Sequence, residues 1–259
     1  MIDTHSHIYA EEFDADRAEA LERAWSAGVE ALVLPDIDSE SRDRMIKLAE
    51  QHPERCYAMA GLHPTSVNDN PRWQEELDMV ERMLSESPVK LCGVGEIGLD
   101  LYWSQEFYGV QREVLHAQIE MALQYNHPVV IHTRSAYKEM LDAIATYRGR
   151  GLRGVFHAWA DSADTARKLE RMGGFKFGVG GVVTFKNSGL DKVVEELPLE
   201  LLLLETDSPY LTPVPHRGKR NESSYVEHVC RKIADIHRVT FEQVDTITTA
   251  SAKELFGIA

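Results

Sequence analysis

Residues 1–7 read MIDTHSH, a brief apolar start that runs at once into Asp3, His5 and His7. Along a strand, residues two apart share a face, so both imidazoles can reach one point. One such pair is compatible with chance in a chain holding 11 histidines. Its weight comes from recurrence, because short apolar runs ending in a histidine or a carboxylate return along the chain. Strand candidates are residues 1–5 (MIDTH), 30–35 (EALVLP), 56–64 (CYAMAGLHP), 90–100 (KLCGVGEIGLD), 128–133 (PVVIHT), 152–158 (LRGVFHA), 175–181 (FKFGVGG) and 199–207 (LELLLLETD). Amphipathic stretches with helical spacing lie between them, at about 14–27, 40–50, 71–86, 106–125, 136–147, 162–172 and 188–196. Three more follow the last strand, near 224–237, 241–248 and 250–256.

Eight short strands joined by crossover helices form the pattern of a single (β/α)8 barrel of the TIM type. A doubly wound open sheet shares that alternation and differs in whether the first and last strands meet. No low-complexity linker or composition break divides the chain, so residues 1–259 read as one domain.

The net charge of −14 argues against broad coating of nucleic acid, which needs a basic face. It leaves room for a local anion site, since bound cations can dominate a local field. Much of the acidity falls on helical patterns such as QEELDMVERMLSES at 74–87, the signature of a solvated face. No apolar run approaches the roughly 20 residues of a membrane span, and the start lacks the parts of a signal peptide. The three cysteines, Cys56, Cys92 and Cys230, include no C-x-x-C and read as reduced, buried thiols. A cytoplasmic monomer without membrane attachment is expected.

Barrel active sites lie at the C-terminal strand ends. Strand one ends with His5 and His7, strand four with Glu96 and Asp100, strand five with His132 and Arg134, strand six with His157, and strand eight with Glu205 and Asp207. Four imidazoles and two carboxylates on one rim suit two divalent cations, with zinc, magnesium and manganese the candidates. The expected arrangement has His5, His7 and Asp207 on one ion, His132 and His157 on the other, and Glu96 between them. Two such ions less two carboxylates leave roughly two positive charges, enough to hold an anionic oxygen and activate water. His52, His116, His127, His228 and His237 fall on helical stretches and receive no role.

On the substrate side, Arg134 follows His132 by two and faces either a phosphate or a salt bridge to Glu96 or Glu205. The irregular stretch TPVPHRGKRNESS at 212–224 carries Arg217, Lys219 and Arg220, the densest positive cluster of the chain. Phosphate-binding loops of barrels commonly follow strands seven and eight, so these three are expected to hold substrate phosphates. Tyr102 and Trp103 offer stacking surfaces for a nucleobase. Glu205 is placed to orient a ligand or a neighbouring arginine.

Taken in order, DTHSH, GLHP, GEIGLD, the histidines of VIHTR and VFHAW, and ETDSPYL resemble the TatD family of metal-dependent deoxyribonucleases, within the amidohydrolase superfamily. The resemblance covers essentially the whole chain. It implies a TIM-type barrel and metal-dependent phosphodiester hydrolysis of DNA, with 3′-to-5′ exonuclease action in some members. RNA or D-aminoacyl-tRNA enters as an alternative substrate, since some relatives deacylate the latter. It implies metal ligation by His5, His7, Glu96, His132, His157 and Asp207, proton handling by Asp207, and a phosphate contact from His63 of GLHP. Glu96 would take the place of the carboxylated lysine found on strand four of many amidohydrolases. The chain departs from the family pattern at Ser223, where proline is usual, and at Trp159 in FHAWA. A small-molecule amidohydrolase and a metal-binding protein without turnover are the competing readings.

Overall fold

The computed structural model describes residues 1–258. All eight expected strands form, as β1 (Ile2–Asp3), β2 (Ala31–Leu34), β3 (Cys56–Ala58), β4 (Val94–Asp100), β5 (Val129–Arg134), β6 (Gly154–Phe156), β7 (Lys176–Val179) and β8 (Leu202–Leu204). Each pairs in parallel with its neighbour in chain order, within the sets β1-β2-β3 and β4 to β8. Backbone hydrogen bonds join the two sets at both seams. Cys92 N–H donates to Ala58 at 3.0 Å and Gly95 N–H to Ala60 at 2.9 Å, linking β3 to β4. Thr4 N–H donates to Leu204 and Asp207 N–H to His5, each at 2.9 Å, linking β8 to β1. The first and last strands therefore meet, and the fold is the barrel rather than the open sheet.

Among the described residues nine α-helices cover the barrel: α1 (Arg17–Ser26), α2 (Ser39–Gln51), α3 (Trp73–Glu86), α4 (Tyr108–Gln124), α5 (Tyr137–Ala145), α6 (Ala163–Gly173), α7 (Leu190–Glu196), α8 (Val226–His237) and α9 (Phe241–Phe256). The two helices expected at 241–248 and 250–256 are one. Thr240 and Gln243 cap its start reciprocally, and Gly257 ends it in a left-handed turn. The Thr248 hydroxyl donates to the Val244 carbonyl at 2.8 Å, so the threonine pair sits inside the helix without interrupting it.

Strand residues alternate between two packing environments. Leu32, Ala58, Val129, Ile131, Phe156, Phe177, Leu202 and Leu204 pack outward against the helices. Val33, Tyr57, Val130, Val155 and Leu203 pack inward, together with Leu255, Phe256 and Ile258 from the end of α9. The last turn of α9 thus seals the end of the barrel where the strands begin. On β5, β6 and β8 the next inward residue after Val130, Val155 and Leu203 is His132, His157 and Glu205. Hydrophobic alternation in the core therefore fixes which polar residues face the open mouth. Among the described residues no helix is long and apolar enough to cross a membrane.

Candidate metal centre

Glu96 is the hub of the mouth, 3 % exposed at the middle of β4. Its two carboxylate oxygens face different partners. Oε2 lies 3.1 Å from His5 Nε2 and 3.7 Å from His7 Nε2. Oε1 lies 2.9 Å from His132 Nδ1, 2.9 Å from His157 Nε2 and 3.4 Å from His63 Nε2. Asp207 closes the first half, its Oδ1 3.7 Å from His5 Nε2 and 3.6 Å from His7 Nε2. Asp207 holds a left-handed backbone, φ 56°, a conformation aspartate tolerates better than most residues. That turn bends the chain back after β8 and aims the carboxylate inward.

Neighbouring groups fix which nitrogen three of the imidazoles offer. Tyr9 Oη donates to the Pro35 carbonyl at 2.5 Å, so it accepts from His7 Nδ1–H at 2.9 Å and leaves the Nε2 lone pair facing Glu96 and Asp207. Asp100 Oδ2 accepts from His132 Nε2–H at 3.0 Å, so His132 turns Nδ1 to the centre. His63 is oriented the other way. Thr65 N–H donates to its Nδ1 at 3.2 Å, so the neutral ring carries its proton on Nε2 and points a donor at the site. Burial holds His63 below its ordinary pKa, which keeps that ring neutral.

The charges are strongly coupled. Burial alone would raise Glu96, yet the surrounding imidazoles, His157 and His5 foremost, hold it well below the usual carboxylate range. Burial pushes His5 down to about 4. Burial opposes the charge on His157 as well, but Glu96 beside it raises that ring to about 10. Burial also opposes ionisation of Asp207, and the neighbouring imidazoles of His7, His157 and His5 together outweigh it and lower the pKa.

This donor set fits divalent cations. The Nδ1 lone pair of His132 faces Glu96 Oε1 at 2.9 Å, and the Nε2 lone pair of His7 faces His5 Nε2 at 3.2 Å. Electron-rich atoms at such distances need a proton or a cation between them. His5, His7 and Asp207 converge in one cluster, and His5, Glu96 and His157 in another. His63 converges with Glu96 and His132 as well, but the proton on its Nε2 makes that nitrogen a hydrogen-bond donor and not a ligand.

Around the centre opens a cleft of about 1170 Å³. His7, His63, Glu96, His132, Arg134, His157 and Asp207 line it. The structure brings all six expected ligands together, with His63 and Arg134 beside them. Arg134 makes no salt bridge to Glu96 or Glu205; its guanidinium lies over the Tyr102 ring, 3.8 Å from the centroid. The basic loop is placed elsewhere. Arg220 donates to both Asp16 oxygens at 2.7 and 2.8 Å and to the Glu12 carbonyl at 2.6 Å, clamping the loop to the start of α1. Arg217 lies over Phe185, 3.8 Å from the ring centroid. Neither these two nor Lys219 lines the cleft. The expectation that the three bind substrate phosphates meets a physical objection. Arg220 is neutralised by Asp16, and none of the three lines the cleft.

Glu205 is fully buried, and its Oε1 accepts from Ala158 N–H at 2.6 Å, 3.8 Å from His157 Nδ1. Burial pushes this carboxyl up to about 8. Gly178 is required opposite it, because any side chain there would collide with the carboxylate. The two departures from the family pattern are absorbed structurally. Trp159 is buried against Phe177, 4.6 Å between centroids, and against Tyr137 at 5.3 Å. Ser223 meets Ser6 at 3.0 Å, which meets Ser208 at 2.9 Å, in a hydroxyl cluster under the centre.

Sequence reading gave no role to Tyr9 and Asp100, the residues that orient His7 and His132. Their signal was present. Tyr9 continues the two-residue series Asp3, His5, His7, and Asp100 follows Glu96 by four on the same strand.

The comparisons with known proteins agree with this geometry. A family model described as TatD related DNase matches residues 2–257. The chain is similar to the metal-dependent hydrolase YabD of Bacillus subtilis, 38 % identical over 259 residues and covering 100 % of this chain and 99 % of the relative. It is 34 % identical to the metal-dependent hydrolase TatD of Mycobacterium tuberculosis, covering 100 % and 98 %. The solved structure of YjjV, a TatD homologue from Escherichia coli, superposes with a TM-score of 0.92 at 29 % identity, covering 100 % and 98 %. A TatD family hydrolase from Entamoeba histolytica, 18 % identical and covering 99 % and 97 %, shares the fold with a TM-score of 0.84.

Proposed function

The chain belongs to the TatD-related DNase family, and from that premise we propose that it is a metal-dependent hydrolase that removes nucleotides from a DNA 3′ end. The observation that carries the reading is the divided carboxylate of Glu96. One oxygen faces His5 and His7, the other faces His132 and His157. That division supports two cations sharing one carboxylate, with Asp207 completing the first set. Zinc and manganese suit the imidazole-rich set better than magnesium does. Two divalent cations, when bound, acidify water, polarise a phosphoryl oxygen and stabilise the departing one.

The protein's own groups supply the rest. Asp207 is the carboxylate that accepts the proton of the attacking water. His63 donates its Nε2–H to a phosphate oxygen, the hydrogen-bond role its Thr65 partner leaves to that nitrogen. Tyr9 and Asp100 hold His7 and His132 in the tautomers that keep lone pairs at the centre. Glu96 is buried among packed side chains and Asp207 largely so, and charge interactions there are therefore stronger than in water.

One panel tests this reading. Single-stranded DNA, duplex DNA, RNA, D-aminoacyl-tRNA and a simple lactone are each offered with zinc, manganese and magnesium. Stepwise shortening of the single strand from its 3′ end is expected. Turnover of D-aminoacyl-tRNA or the lactone, with no DNA cleaved, would overturn the nuclease assignment while keeping the hydrolase.

A further inference from the structure

The two walls of the cleft differ in charge. On the side of the loops after β1 and β2, Glu11, Glu12, Asp38 and Glu40 line the opening. Arg44 is there too, but it pairs with Asp14 at 2.7 Å and Glu11 at 3.4 Å. A polyanion is repelled from that wall. The opposite lip is built by the ends of β4 and β5. Arg134 pairs in register with Asp100, directly beyond the Asp100–His132 bond. Two residues of strand rise set Arg134 roughly 7 Å outward from His132.

Arg134 is exposed and its side chain has no hydrogen-bond or ion-pair partner among the described residues. Its guanidinium carbon lies 3.8 Å from the Tyr102 ring centroid and 5.4 Å from that of Trp103. Stacking uses the face of a guanidinium and leaves its in-plane N–H donors open. Trp103 stands edge-on to Tyr102, with centroids 5.0 Å apart, and is 69 % exposed, the most exposed large apolar side chain of the protein's described residues. An uncovered indole beside an unneutralised, ring-held guanidinium matches the two halves of a nucleotide, a flat base and an anionic phosphate.

We propose that Trp103, Tyr102 and Arg134 form a nucleotide subsite next to the scissile bond, with an unpaired base on Trp103 and its phosphate on Arg134. This rests on the nuclease reading above and specifies it. A base must leave its stack to meet Trp103, so the substrate at this lip is single-stranded. The acidic wall opposite excludes the second strand of a duplex.

The test uses two single-stranded oligomers of equal length, oligothymidylate and an abasic strand with the same phosphates. Binding is measured by anisotropy with metal chelated, and kcat/KM with metal restored. Trp103→Ala is expected to weaken oligothymidylate about tenfold and leave the abasic strand unchanged. Arg134→Ala is expected to weaken both and to flatten the salt dependence by a slope of about 0.7, one single-strand phosphate contact. Equal loss on both oligomers with Trp103→Ala, or no loss on either, overturns the base-stacking subsite. If wild type still cleaves oligothymidylate in that case, only the subsite falls. If wild type neither binds nor cleaves either oligomer, the nuclease reading falls with it.

Discussion

The loop at residues 220–223 and the ring of donors around Glu96 are both dense in polar groups, and their partners differ in kind. In the loop every group has a complement. Arg220 meets Asp16, Asn221 donates to the Thr206 and Tyr210 carbonyls at 2.8 and 2.6 Å, and Glu222 accepts from Arg23 at 2.7 Å. In the ring, lone pairs of His7 Nε2 and His132 Nδ1 face carboxylate oxygens of Glu96 and Asp207, while Tyr9 and Asp100 behind those rings accept the outer N–H groups and set the tautomers. Complementary pairing closes a structure. Convergence of like groups, maintained by orienting partners behind them, leaves work for a bound cation. The contrast separates two charge clusters that local composition alone makes look alike.

The comparison predicts opposite behaviour on substitution. The largest effect belongs to Glu96→Gln, which keeps the shape and removes the charge both halves share. Hydrolysis is expected to vanish while circular dichroism and thermal unfolding remain those of a folded chain. Normal turnover in this variant would merge the two regions into one structural class.

Asp207→Asn comes next. It keeps an oxygen near His5 and His7 but cannot take a proton, and loss of a general base costs about 10²–10⁴-fold in rate. Single-turnover cleavage of an end-labelled strand, with metal saturating, reads that loss apart from metal binding.

Asp100→Asn sharpens the contrast from behind the ring. It frees the His132 tautomer, and removal of such an orienting partner typically costs about 10–100-fold in metal affinity or activity. A competition titration against a chromophoric chelator measures it, and rescue of activity by excess metal separates this from Asp207→Asn.

Arg220→Ala gives the smallest effect and the opposite kind. The clamp to Asp16 is partly exposed, so its loss is worth about 1 kcal/mol, a fall of roughly 2–4 °C in a chain of this size. Per-molecule activity below the melting range is expected to be unchanged. A large drop in kcat/KM without loss of stability would return Arg220 to the substrate site.

The barrel was legible from its alternation of strands and helices, and two of its ligands from strand parity. His132 and His157 each follow a short apolar strand, and the period of two carries them into the mouth, Val130 to His132 and Val155 to His157, whereas Glu96 sits within a register shift between Val94 and Ile97 on β4. Asp207 lies two residues past Glu205 in the sequence, but the left-handed turn at φ 56° aims it inward, which strand parity does not reveal. The roles of the basic loop were not legible. Local density of arginine does not reveal partners, and Asp16 lies 204 residues from Arg220. The choice for Arg134 between phosphate and carboxylate likewise depended on Tyr102, whose ring takes up the guanidinium. The continuity of α9 was not legible either: Thr248 and Thr249 are weak helix formers, and the Thr248 hydroxyl bonds back to Val244 inside the helix.

The central claim, that Glu96 is shared by two halves of one centre, is tested most directly by counting ions. Metal-stripped wild-type protein is titrated with zinc or manganese by calorimetry, and the bound metal is quantified after gel filtration. The account predicts two tightly bound ions per chain in the wild type, falling to one or none in Glu96→Gln. A single ion in wild type, or two retained at unchanged affinity in Glu96→Gln, would contradict it.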